Sequence, residues 1–383
     1  MSQGDFERSL KEHGSTVYGE QKRWLALRVD VPLLLLLLLL MAIGIFVLYS
    51  ASGQDLNYVK RQSVFMGIGL VAMLGVAQFD PRFMQRWAFV IYIGGVGLLV
   101  AVVFIGVGAK GAQRWLELGF FRFQPSEILK VGVPLMLSSY LGQRVLPPRF
   151  KHVLVTLLLI GTPAVLVGIQ PDLGTALLIF AAGFFVLFLA GLGVSYLLAT
   201  LFLALSVAPV FWFYLLRDYQ KTRILTLLDP QSDKLGAGWN IIQSTTAIGA
   251  GGSSGKGWMQ GTQSQLDFLP ESHTDFIIAV LSEEFGFTGV LCLLFVYVLI
   301  ILRGMIISIN AQSMFSRLLA GSITLTFFVY IFVNMGMVSG ILPVVGVPLP
   351  MVSYGGTSIV TLMLGFGMLM AVSKEKKRMG EQL

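Results

Sequence analysis

The chain has 383 residues, 55% hydrophobic and only 12% charged, with a formal net charge of +7 and a mean hydropathy of +0.79. Ordinary soluble domains carry about 25% charged residues, so the composition excludes a water-soluble enzyme and indicates an all-α polytopic membrane protein. The single cysteine, Cys292, falls inside an apolar stretch, which excludes disulfides and cysteine-built metal sites, and the basic balance carries no nucleic-acid footprint.

Apolar stretches long enough to cross a bilayer recur along the chain. Ten spans are predicted, at 31–50, 62–79, 87–108, 126–142, 152–169, 172–190, 194–216, 275–302, 316–336 and 353–373. The first follows a polar segment and lacks a small-residue cleavage site, so it reads as a retained span and not a signal peptide. The predicted organisation is a tail at 1–30, one transmembrane domain at 31–373 and a tail at 374–383. An even number of spans puts both tails on one side. The tails, the loops near 80–86, 143–151 and 303–315, and Arg317 hold more than half of the 27 Lys and Arg. The side enriched in short basic segments is the cytoplasmic one.

The loop around 109–130 on the opposite side nevertheless carries Lys110, Arg114, Arg122 and Lys130. Positive charge kept on the disfavoured side fits an anionic ligand, and equally fits lipid headgroups or paired acids. Ser126, after Pro125, is a predicted N-cap. Glu127 and Lys130 stand three apart and share a helix face; they read as a structural ion pair or as a means of presenting Lys130 to a diphosphate. Further on, Gln170-Pro171-Asp172 interrupts an apolar run, and proline there predicts a turn. Asp172 reads as a helix cap or a substrate contact.

The largest polar element is the outer loop at 217–274, with Arg217, Lys221, Arg223, Lys234 and Lys256. Trp239 to Ile248 is predicted to be a short amphipathic helix at the membrane interface. The glycine-rich stretch that follows is not a nucleotide loop. Ala250 and Gly257 stand where a Walker motif needs glycine and Ser or Thr.

The run at 261–276 is dense in polar residues between two apolar blocks and holds Asp267, Glu271, His273 and Asp275. Ionisable side chains at a membrane boundary are costly and mark functional sites by default. Thr274 or Asp275 can cap the helix that follows. Asp275 at a helix mouth also suits a general base, whose pKa is raised by partial desolvation. His273 reads as polar support for that loop. Three histidines without ligand spacing argue against a protein-built zinc site, whereas a hard divalent cation (Mg or Mn) bridging carboxylates and a diphosphate stays open. Near the C-terminus, Gly340 to Ser358 contains too many prolines and glycines for a regular span. It should be a broken or re-entrant segment, either buried in protein or lining a polar cavity, a feature shared with transporter sites.

Taken together, the chain resembles the SEDS family (shape, elongation, division and sporulation proteins), most closely its RodA branch. The matching segments are Arg114-Trp115, Gln124-Pro-Ser-Glu-Ile-Leu-Lys130, Gln170-Pro-Asp-Leu-Gly-Thr175, Arg223 with Leu228-Asp-Pro230, Gln243-Ser-Thr-Thr-Ala-Ile-Gly249, His273-Thr-Asp-Phe276 with Glu283-Glu-Phe-Gly286, and Pro348-Leu-Pro-Met-Val-Ser-Tyr-Gly-Gly356. Gly261-Thr-Gln-Ser-Gln265 resembles elongation-type members more than division-type ones. The resemblance implies a peptidoglycan glycosyltransferase of the bacterial cytoplasmic (inner) membrane, polymerising lipid II on the outer face during elongation and rod-shape maintenance. It also implies a class B penicillin-binding transpeptidase and other elongation-complex membrane proteins as partners. By the same resemblance Asp275 is the catalytic carboxylate, and Arg114, Glu127, Lys130, Asp172, Arg223, Glu271 and Ser353 line the substrate cavity, with His273 beside them. A lipid II carrier and a recruiting scaffold are the rival readings.

Overall fold

The computed structural model describes residues 28–109, 112–117, 122–216, 218–233, 236–265 and 271–375. Most of both tails, together with Lys110, Arg217, Lys234 and Asp267, lies outside the described residues.

The first spans are α1 (Val31–Ala51), α2 (Leu56–Ala77) and α3 (Pro81–Ile105). Each opens on an aspartate that satisfies a free backbone amide. Asp30 accepts from Leu33 N at 3.1 Å, Asp55 from Asn57 N at 2.8 Å and Asp80 from Arg82 N at 2.9 Å. These caps extend α2 and α3 about one and a half turns earlier than their apolar runs predict, because the polar first turns are helical too.

Three short strands form a small antiparallel sheet in the order β1 (Val107–Ala109), β2 (Ala112–Glu117), β3 (Arg122–Phe123), with Ala109 opposite Ala112 and Leu116 opposite Phe123. The sequence reading had only a loop here. Then come α4 (Pro125–Gly142), α5 (Phe150–Ile169), α6 (Leu173–Leu189) and α7 (Val194–Val210), which ends in a π turn at Phe211–Leu215. Next are α8 (Asp218–Leu228), α9 (Ala237–Gly251) and the single turn α10 (Thr262–Gln265). The chain closes with α11 (Ile277–Ile309), α12 (Met314–Val338) and α13 (Gly356–Ser373).

Eight of these helices are long and apolar enough to cross a membrane: α1, α2, α3, α5, α7 with its π turn, α11, α12 and α13. Helices also stand at the other two predicted positions. One is α6, at 17 residues, and the other is α4, which carries Glu127 and Lys130. The predicted Gln170-Pro171-Asp172 break separates α5 from α6.

α12 is the most enclosed span, with 72% of its apolar window buried, and it packs against α4, α6 and α11. Tyr297, Phe327 and Phe366 interlock there, with ring centroids 5.7 and 5.1 Å apart. α2 and α13 approach through small residues; a β-carbon on Gly367 would sit 2.6 Å from Met73 O. At the end of the bundle where α1 begins, Arg303 donates to both oxygens of Asp30 at 3.0 and 2.6 Å, stapling α11 to α1.

Two expectations change. Ser126 is not the cap of its helix: Gln124 holds that position with Pro125 in the first turn, and Ser126 is buried one residue further in. The predicted interface helix is real, but α9 packs onto α11 with Ser244 and Ala247 buried, so it is docked on the bundle.

Candidate active site

The polar motifs meet at the opposite end, where α1, α3 and α5 finish and α4, α6, α11 and α13 begin. Three groups of contacts build the site.

The first lies at the corner between β2 and α6. Arg114 Nε donates to Gln170 O at 3.2 Å, its Nη2 donates to Pro171 O, and Nη1 stands 3.8 Å from Asp172 Oδ2. Gln124 Nε2 donates to the same Asp172 oxygen at 3.1 Å. Asp172 Oδ1 accepts from Thr175 N at 3.2 Å, so this aspartate caps α6 and pairs with Arg114 at once.

The second group is on α4. Lys130 Nζ donates to Glu127 Oε1 at 2.7 Å, with both side chains buried. Ser358 Oγ, from the first turn of α13, donates to that oxygen at 3.1 Å. Lys130 Nζ also lies 5.4 Å from the centre of the Tyr330 ring. Glu127 Oε2 and Ser126 Oγ are buried without a hydrogen-bond partner among the described residues.

The third group joins the turn at 271–276 to the broken segment at 340–355. Asn334, on α12, donates to Asp275 O at 2.8 Å and to Val347 O at 2.7 Å. Asp275 Oδ2 faces Gly346, where an added β-carbon would lie 3.5 Å away; Gly346 has φ +74°. Tyr354 N donates to His273 O at 2.9 Å, and the His273 ring packs on Tyr58 and Tyr354 at 4.7 and 6.1 Å. Burial pushes the His273 pKa below its ordinary value, opposed by the nearby Glu271 carboxylate. Glu271 Oε2 accepts from Thr274 Oγ1 at 2.7 Å.

Neither Thr274 nor Asp275 holds the N-cap position of α11. Phe276 holds the N-cap position of α11 with no side-chain bond, and Glu271 O instead accepts from Thr274 N and Phe276 N. Ser353 stands on the broken segment. Its buried hydroxyl accepts from Leu349 N at 2.8 Å, and its carbonyl accepts from Gln62 Nε2 at 2.9 Å, so the side chain closes a turn in the broken segment. The broken segment itself is irregular, as predicted; Val347 and residues 349–353 are buried, whereas Ile341 and Gly346 are exposed.

These groups are not independent. Gly174, in the first turn of α6, packs on Val345, and Val347 shares an apolar cluster with Leu178, Tyr330 and Val333. Tyr330 and Asn334 lie one turn apart on α12, so one helix face touches Lys130 at one level and Asp275 at the next. Arg223 sits half-buried on α8, whose packing partners are α9 and the turn at Pro230–Asp233. The sequence reading missed Gln62, Tyr330, Asn334 and Ser358. For Gln62 and Asn334 there was a usable signal, an amide within an apolar span.

Fold and site together define a multi-span membrane protein with the half-buried Asp275 carboxylate, the buried Glu127–Lys130 pair and the part-buried Arg114–Asp172 pair at one end of the bundle. That is an arrangement for moving a proton while an anionic group is held. The profile of the FtsW/RodA/SpoVE family of cell cycle proteins matches residues 31–378, and the chain belongs to that family. It is 51% identical to the peptidoglycan glycosyltransferase MrdB of Escherichia coli K12 over 360 residues, 94% of this chain and 97% of that one. A probable peptidoglycan glycosyltransferase FtsW from Geobacter sp. M18 is 35% identical over 356 residues, covering 90% and 96%. Among solved structures, a chain from a study of polymerization and crosslinking by a peptidoglycan synthase complex superposes with a TM-score of 0.80 at 33% identity, covering 91% of this chain and 98% of that one. The rod shape determining protein RodA of Thermus thermophilus gives 0.69 at 29% identity, covering 92% and 98%.

Proposed function

We propose that this chain is a peptidoglycan glycosyltransferase that polymerises lipid II into glycan strands at the outer face of the bacterial inner membrane, serving elongation and rod shape. Its relatives at 51% and 35% identity bear the activity in their names. The observation that carries the chemistry is the convergence of Asp275 with the Glu127–Lys130 and Arg114–Asp172 pairs through α12 and the segment at 340–355.

In this reading Asp275 takes the proton from the 4-hydroxyl of the acceptor sugar as that oxygen bonds to the anomeric carbon of the donor. The bond from that carbon to the diphosphate oxygen breaks, and polyprenyl diphosphate leaves with inversion. General-base assistance typically contributes about 10²–10⁴-fold. Lys130 and Arg114 are placed to offset the charge that grows on the leaving group, and preorganised cations in a partly dry site are strong stabilisers of such charge. Arg223, on the outer helix α8, contacts the substrate from the side of the loop, and Glu271 and His273 hold the turn that carries Asp275. A divalent cation (Mg or Mn), where the reaction uses one, would bridge carboxylates and the diphosphate and offset charge on the leaving group. A class B penicillin-binding transpeptidase is the proposed partner, in keeping with the synthase-complex relative.

The test is glycan polymerisation by the purified protein with its transpeptidase partner, lipid II and a divalent cation in detergent, comparing wild type with Asp275→Ala. Polymer from wild type and none from the folded variant supports a polymerase centred on Asp275. Equal activity removes Asp275 from catalysis. No polymer from either, with lipid II crossing vesicles in a parallel assay, favours the carrier.

A further inference from the structure

We infer that Asn334 is a positioning residue that sets where the Asp275 carboxylate stands, a role that rests on the catalytic reading of Asp275. Asn334 is fully buried on α12, the most enclosed span. Its Nδ2 has two protons, and both are engaged, one by Asp275 O at 2.8 Å and one by Val347 O at 2.7 Å. Those carbonyls belong to two segments without regular structure, the turn at 271–276 and the broken segment at 340–355. Gly346, next to Val347, is the residue that faces Asp275 Oδ2. One nitrogen thus ties down the backbone on both sides of the carboxylate.

Few side chains can do this. The position needs two donors on one atom without a charge, which leaves only the carboxamides. Gln is longer by a methylene in a site with no exposure. The other half of the group argues against a packing role. Asn334 Oδ1 is buried with no hydrogen-bond partner among the described residues. An orphaned buried acceptor carries an energetic cost that leucine, with the same number of side-chain heavy atoms, would avoid, and such groups call for an explanation in function or strain.

The same helix supplies the reference point. Tyr330, one turn earlier, lies against Lys130, which pairs with Glu127. α12 therefore acts as a ruler between the proposed base and the buried cation that faces the leaving group. The Tyr354 N to His273 O bond joins the same two segments further along; without the amide the tie at the level of Asp275 itself is lost, and the carboxylate shifts relative to Lys130. Misplacement of a reacting group by about 1 Å can cost about a hundredfold in rate.

The experiment is steady-state polymerisation by the full-length protein in complex with its transpeptidase partner. Wild type is compared with Asn334→Leu, Asp275→Asn and the double variant, with detergent melting and lipid II binding measured in parallel. The expected result for Asn334→Leu is a kcat lower by about a hundredfold, with the lipid II KM and binding within about twofold. The double variant should be no slower than Asp275→Asn, because Asn334 works through Asp275. A wild-type kcat in Asn334→Leu overturns the proposal. So does a raised KM with kcat retained, and so does a further loss of rate in the double variant. If Asp275→Asn is itself fully active, the catalytic reading fails, and that outcome is separate from the behaviour of Asn334→Leu. If Asn334→Leu does not fold, Asn334→Asp replaces it; its carboxyl keeps the shape and has at most one proton to donate, so the same loss of kcat is expected and wild-type turnover overturns the role.

Discussion

Gly174 packs so closely on Val345 that a β-carbon on the glycine would lie 2.7 Å from the Val345 carbonyl oxygen. The contact sets the first turn of α6, with Asp172 at its cap, against the segment that carries Gly346 beside Asp275. The atom in the way is backbone and cannot swing aside. Gly174→Ala should therefore destabilise the protein by about 1–3 kcal/mol, the usual cost of overpacking a filled interior. Polymerisation should fall further than stability does, because both sides of the site move. Detergent melting beside turnover reads both; an alanine variant with wild-type melting and turnover would mean the two segments separate easily.

Glu127 and Lys130 form an ion pair with side chains only 4% and 6% exposed. Bringing two charges out of water is offset only while they face each other, so removing one partner strands the other. Glu127→Ala or Lys130→Met alone should cost about 3–5 kcal/mol. The double variant Glu127→Gln/Lys130→Met leaves no buried charge and should recover most of that stability. It should not recover polymerisation if Lys130 is needed to face the diphosphate. A double variant that regains activity would reduce the pair to packing.

The sequence discloses some of this and hides the rest for physical reasons. The Glu127–Lys130 pair follows from helical spacing alone, and the break before Asp172 follows from Pro171, since both are local effects. Glycines and prolines likewise announce the irregular segment at 340–355. What pairs with what across the fold is not local. Arg114 meets residues 170–172, and Asn334 meets Asp275, only because α6 and α12 dock where they do. Ser353 looks available in the sequence, yet its hydroxyl is engaged by Leu349 N. The small sheet of β1, β2 and β3 is held by short strand pairs with no strong alternation of apolar and polar residues, so nothing in the composition announces it.

His273 gives the site a pH dependence. Burial lowers its folded pKa below the ordinary value of 6.5, with Glu271 opposing. Between the folded and unfolded values the unfolded chain binds a proton that the native one does not, so stability rises with pH there. The stabilising contribution is present above 6.5 and is lost as the pH falls toward and through the folded value. Melting temperature should drop on acidification below this point, and His273→Gln should flatten that part of the curve. Glu271→Gln removes the opposing charge, lowers the folded value further and should steepen it. An unchanged profile in His273→Gln would assign the dependence to other groups.

The loop at 252–265 is latched to α11 by one carboxylate. Glu283, with no side-chain exposure, accepts at Oε1 from Lys256 Nζ at 2.7 Å, Thr262 N at 2.8 Å and Thr262 Oγ1 at 3.0 Å, and both its oxygens accept from Gln263 N at 3.1 Å. Main-chain bonds run alongside, with Lys256 N donating to Glu283 O at 3.0 Å and Gly257 N to Glu284 O at 2.9 Å. They form where α11 breaks at Gly286, φ +65°. Hydrogen bonds to a charged group contribute about 1.5–3 kcal/mol, against about 0.5–1.5 kcal/mol for neutral pairs. Glu283→Gln keeps the shape and loses the charge, so opening of the loop should become at least about tenfold more frequent, since 1.4 kcal/mol is a factor of ten. Limited proteolysis and amide exchange across 252–265 read that opening directly. Because the same segment leads into the turn that carries Asp275, turnover should fall with it. Unchanged exchange with reduced turnover would separate Glu283 from loop anchoring and move it into the chemistry.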